Sequence, residues 1–203
     1  MRLDDFGQAG PHVRQRRGHE DDHQQQHHQQ GCHPGADHAL QPLTVADLAD
    51  RLAGLAARHA ANQVAALEAI RPALADTLRS ESLHLEWVDG DRLRLVVGEN
   101  DPLQGHAPGW LSLAGTRTAE ALLQGRALRE PLTGRRPEDL FGVPAGLRQL
   151  AVAPLRSAGM EGTLQLGRRL PRAYSAGELL LVELLAERLA LLFAAGRAAN
   201  VAN

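Results

Sequence analysis

The chain has 203 residues, 22 basic and 24 acidic side chains, and a formal net charge of −2. That length allows one medium domain with appendages, and a near-neutral balance offers no positive field for anionic lipid or nucleic acid. Apart from histidine every basic residue is Arg, which excludes lysine-dependent phosphate loops and Schiff-base chemistry.

One cysteine, Cys32, cannot form an intramolecular disulfide, which points to a reducing compartment. No apolar run approaches the roughly 20 residues needed to cross a bilayer, and the N-terminus lacks a signal-peptide core. A cytoplasmic protein without a membrane partner is expected.

Residues 1–42 hold seven of the ten histidines and five glutamines between Gln24 and Gln30. They carry too few apolar groups to offset the entropy of ordering the backbone, so a disordered tail is expected before a domain at 43–203. The run His19-Glu20-Asp21-Asp22-His23 fits the HExxH pattern of zinc proteases, whose chemistry needs a rigid helix against a core. The Gln, Asp and Gly flanks supply no such helix, so catalytic zinc is not expected. The cluster His19, His23, His27, His28, Cys32 and His33 has instead the composition for adventitious nickel, zinc or copper.

The composition changes at Leu43. Thr44 with Asp47 three residues on predicts a capped helix, and Leu48, Leu52 and Leu55 continue it at helical spacing. A second series, Val64, Leu67, Ile70, Leu74 and Leu78, predicts another helix with a kink or break just before Pro72. The opening TVADLADRLAGL is similar to the first helix of helix-turn-helix modules. No basic recognition helix follows, so nucleic acid is not an expected partner.

Ser82–Val88 alternates as a strand, Asp89-Gly90 signals a two-residue hairpin, and Leu93, Leu95 and Val97 continue on the next strand. Further along, Trp110–Leu113 reads as a short strand and Thr116–Leu123 as a helix closed by Gly125. Residues 127–132 read as an edge strand, and a helical turn is expected near Glu138–Phe141. Leu150–Leu155 and Gly162–Gly167 form the last strands. A terminal helix over 176–198 starts with a Ser175/Glu178 capping box and a Tyr174/Leu179 staple. Leu179, Val182, Ala186, Leu189 and Phe193 make its inner face. A second stripe, Leu180, Leu184 and Leu191, needs another partner: the helix at 44–58, or the same helix of a second chain.

This order makes an α+β domain, a central antiparallel β-sheet flanked by N- and C-terminal helices. LRQLAVAPLRSAGMEGTLQLGR (147–168) and PRAYSAGELLLVELLAERLALLF (171–193) resemble the closing strand pair and terminal helix of GAF domains. The resemblance extends more weakly back to about residue 64. It implies a sensory or regulatory module, a homodimer through its terminal helices, a separate output protein, and a small-molecule pocket between sheet and inserted loops. Neither ligand nor cofactor is specified. The cyclic-nucleotide branch needs a Lys this chain lacks, bilin-binding relatives attach their chromophore through a domain cysteine, and the methionine-sulfoxide-reducing branch needs several cysteines. Haem ligation would fall to His84 or His106. With no GxSxG motif and no thiol in the domain, the chain is expected not to be an enzyme.

Strand parity turns Leu164 and Leu166 toward the helices and Thr163 and Gln165 away. Grouping Leu83, Leu85 and Trp87 with Leu93 and Leu95 leaves a polar face of His84, Glu86, Arg94, Thr163 and Gln165. The 100–146 insertion would bring His106, Trp110, Arg117 and Phe141 over it, a setting for a small organic ligand, with Arg to hold an acidic one. Competing readings leave that face merely solvated, in a structural dimerisation module, a DNA-binding regulator, or a metal-handling protein using the tail.

Overall fold

The computed structural model describes residues 43–99, 101, 110–132, 146–157 and 159–201. The expectations for residues 1–42, the metal candidates among them, and those for His106, Phe141 and the turn near Glu138–Phe141 lie outside these residues.

Helix α1 (Val45–Ala57) starts where the capping residues require it. The Thr44 hydroxyl accepts the Asp47 N–H at 3.1 Å, and the Asp47 carboxylate accepts the Thr44 N–H at 2.9 Å. Helix α2 (Gln63–Leu78) is capped by Asn62, whose side chain accepts the Ala65 N–H at 3.1 Å. It runs through Pro72 as one helix, so of the kink or break expected there the break does not occur. Proline costs about 3 kcal/mol inside a helix. Leu67, Ile70, Leu74 and Leu78 lie on both sides of it and are fully buried, each contributing roughly 1.5–3 kcal/mol. Packing outweighs the local penalty.

The six strands form one antiparallel sheet, in the order β3-β2-β1-β6-β5-β4. These are β1 (Ser82–Asp89), β2 (Arg92–Val97), β3 (Trp110–Ser112), β4 (Leu128–Pro131), β5 (Gln149–Ser157) and β6 (Met160–Arg168). Pro131, which cannot donate to a ladder, lies as expected on the edge strand β4. Helix α3 (Arg117–Gln124) is capped by Thr116 and closed at Gly125.

One sheet face packs against α2 and the long α4 (Ala176–Val201), and α1 packs on these two helices. Leu83, Leu85, Trp87, Ala153, Leu164 and Leu166 meet Val182, Leu185, Ala186, Leu189 and Phe193 there in a single core cluster. A smaller cluster, Ala121, Leu132, Leu147, Leu150 and Val152, holds α3 to the opposite face. Of the inner face read for α4, Val182, Ala186, Leu189 and Phe193 are buried as expected and Leu179 is partly buried. Of the second stripe, Leu184 packs partly into the chain's own core, whereas Leu180 and Leu191 are 48% and 61% exposed. Helix α1 lies along α4, where Arg188 pairs with Asp50 at 2.9 Å.

The start of α4 is fixed by a buried cation. Arg168, fully buried, donates to Glu178 at 3.0 Å and to the Arg172 carbonyl at 2.7 Å. Its guanidinium lies 3.8 Å from the Tyr174 ring centre. Burial pushes the Tyr174 hydroxyl up to about 12, and that hydroxyl reaches Ser80 at 3.3 Å. Partial burial alone would raise the Glu178 carboxyl. Hydrogen bonds from the Ser175 backbone, Arg168 and Arg172 overcome it and hold the group at about 2.

Candidate functional site

The face turned away from the long helices carries a buried polar row contributed by β1 and β6. Glu86 lies opposite Thr163 and His84 opposite Gln165 in the antiparallel register, so all four share one face. On β5, Val152 stands opposite Gln165 and Pro154 opposite Thr163, which flanks the row with apolar surface. The parity reading of β6 holds.

Helix α3 closes part of this face through one side chain. Thr118, fully buried, donates to the Glu86 carboxylate, meets the Thr163 hydroxyl at 2.8 Å and accepts from Gln165 Nε2 at 3.1 Å. A hydroxyl has one hydrogen and two lone pairs, so these three bonds use its full capacity. The sequence reading missed Thr118. Its signal was the spacing Thr118, Ala121, Leu122, which marks the inner face of a short amphipathic helix.

His84 is the member of the row left incomplete. It is 3% exposed, its Nε2 lies 3.7 Å from Glu86 Oε1, and its Nδ1 has no hydrogen-bond partner among the described residues. An imidazole nitrogen in that state can bond a ligand group or coordinate a metal. Among the described residues no three metal-ligating side chains converge, so His84 has no company for a structural metal site.

Two expected members of the site are placed elsewhere, and a third is already paired. Arg94 stands opposite Trp87, on the helix side of the sheet. The hairpin loop is Gly90-Asp91, with Gly90 in the left-handed region that a two-residue turn demands. Such a loop pairs each odd-numbered residue of β1 with an even-numbered one of β2. Val96 therefore joins Leu85 in the main core, and Leu93, Leu95 and Val97 line the polar face instead. Trp110 pairs with Arg94, so it shares that wrong side and is 46% exposed. Arg117 lies on the correct helix but is committed. It donates through Nε and Nη2 to Glu130 and through Nη1 to Glu120, and the Glu130 bonds raise its pKa further above the usual arginine value. An acidic ligand would have to break that bidentate pair.

No protein-family model matches the sequence, and no curated protein matches it. Solved structures do match in shape. The free methionine-R-sulfoxide reductase of Neisseria meningitidis, in complex with its substrate, is 20% identical with a TM-score of 0.57, over 78% of this chain and 96% of that one. The GAF domain of a phosphoenolpyruvate-protein phosphotransferase from Coxiella burnetii is 16% identical at TM-score 0.57, over 77% and 98%. The fold is GAF-like. A phycoerythrobilin-bound GAF domain of a cyanobacterial phytochrome matches at TM-score 0.50 and 16% identity, over 78% of this chain and 98% of that one.

At these identities the likeness establishes the GAF-like fold and no activity. It also corrects one expectation. The same architecture houses a methionine-R-sulfoxide reductase, so the missing GxSxG motif and the missing domain thiol do not support reading this chain as a non-enzyme. Among the described residues, no helix is long and apolar enough to cross a membrane.

Proposed function

We propose that the chain is a GAF-like sensory or regulatory domain. It takes a small organic molecule against the face of His84, Glu86, Thr163 and Gln165, and relays occupancy through its helices to a second copy and a separate output protein. The observation that carries this reading is the unpartnered Nδ1 of buried His84. A buried polar atom without a partner costs about 1–3 kcal/mol, a cost that a ligand hydrogen bond would remove. Leu93, Leu95 and Val97 beside the row make the mixture of apolar wall and few polar groups that small molecules favour. With Arg117 committed and Arg94 on the far side, neither candidate arginine is available among the described residues, which favours a neutral ligand over an acidic one.

Native mass spectrometry of the full chain, purified without a His-tag, tests the reading. Wild type should retain a small molecule that His84→Leu loses; bare protein in both samples sinks the sensor. For the relay, Leu180→Arg and Leu191→Arg should convert dimers to monomers in light scattering. A monomeric wild type, or dimers that persist in both variants, would overturn it.

The three bonds made by Thr118 favour a second reading, a dimerisation module whose polar face is closed by α3. Ligand-free wild type with an intact dimer would select it.

A further inference from the structure

We propose that the chain carries a second small-molecule site, on the helix side of the sheet, for an organic anion with an aromatic body. The structure shows a groove of about 970 Å³ there. It is bounded by the α1–α2 connection, the β1–β2 hairpin, the β5–β6 turn and the C-terminal part of α4. Its size suits a small ligand, and it is separate from the His84 face.

The groove is lined mainly by polar groups, with a small apolar part at its base. Trp87, Val96, Met160 and Phe193 are all buried, and the Trp87 and Phe193 rings meet edge to face at 6.3 Å and 78°. Gln63 Oε1 accepts the Trp87 indole N–H at 3.0 Å, which leaves the Gln63 amide N–H groups as donors at the wall.

Two exposed arginines line the groove from different elements, Arg94 from β2 and Arg197 from α4. Among the described residues neither has an ion-pair or hydrogen-bond partner, unlike Arg117, Arg168 and Arg188. Two acids also line the groove, but Glu161 is matched by Arg156 at 3.6 Å, so only Asp89 opposes the two arginines. Unpaired arginines beside the small exposed edge of Trp87 match a carboxylate joined to a flat apolar ring. The hairpin register builds the site. It puts Arg94 opposite Trp87, and the other parity would have carried Arg94 to the polar face.

The probe is 1-naphthoate, a bicyclic ring with one carboxylate, titrated into the full chain by calorimetry. Tryptophan fluorescence in a Trp110→Phe background then reports Trp87 alone, since the chain has two tryptophans. One molecule should bind per chain with a change in Trp87 emission. Arg94→Gln combined with Arg197→Gln should weaken it about tenfold or more, as should replacing naphthoate by its neutral carboxamide. No heat and no emission change at millimolar naphthoate would overturn the proposal. So would equal binding by the double variant, or by the carboxamide. His84→Leu should leave naphthoate binding unchanged, which separates the fate of this site from that of the other face.

Discussion

The hydroxyl of Thr118 on α3 donates to the carboxylate of Glu86 on β1, joining a short helix to the middle of the sheet. Besides Thr118, helix α3 buries only the small Ala121 and Leu122. The polar contact therefore carries much of its docking.

Replacing Thr118 by Val keeps the shape and removes the donor and both acceptors. Glu86 then loses a charge-assisted bond in a buried setting, so Thr118→Val should cost about 2–3 kcal/mol in urea denaturation. Thr118→Ser retains the hydroxyl and should recover most of that loss. Equal stability of wild type and Thr118→Val would show that the network holds nothing together.

Glu178 makes a pH prediction with a definite sign. Its folded value of about 2 lies below the ordinary 4.5, so its stabilisation is complete above about pH 5. That stabilisation is lost as pH falls from 4.5 toward 2. Glu178→Gln preserves the helix cap but strips Arg168 of its carboxylate, at a cost of about 3 kcal/mol at pH 7. Thermal melts from pH 6 to 2 should show a steep decline for wild type and a shallower one for the variant.

Two helical glycines should respond in opposite directions. A Cβ at Gly196 would run into the Ala60 carbonyl oxygen, where α4 meets the α1–α2 connection. Gly196→Ala should destabilise by roughly 1–3 kcal/mol. Gly54, exposed in α1, has open space, and Gly54→Ala should stabilise by roughly 0.5–1 kcal/mol. Matched melting curves check both; a stable Gly196→Ala would contradict the close approach.

Much of the fold was legible because its signals are local. Thr44 with Asp47 and Ser175 with Glu178 cap helices through bonds three residues apart, and both caps form as the spacing requires. At Pro72 the break that the sequence allowed does not occur, since burial of Leu67, Ile70, Leu74 and Leu78 in the main core holds α2 together on both sides of it. Of the polar face, the β1 and β6 members were readable from alternation alone, while Arg94, Trp110 and Arg117 were not.

The amino-acid sequence by itself determined the order of elements, the helix ends, and the turning of Leu164 and Leu166 away from Thr163 and Gln165. Each depends on bonds or periods spanning a few residues. Tertiary structure alone decided which face β2 presents, where the Arg117 charge is spent, and that Thr118 plugs the row. Those outcomes depend on a one-residue choice of hairpin register and on partners 13 to 45 residues distant along the chain. Within a pleated sheet, a shift of one residue moves every side chain to the opposite side. That geometry gives the His84 face its apolar wall and leaves Arg94 beside Trp87.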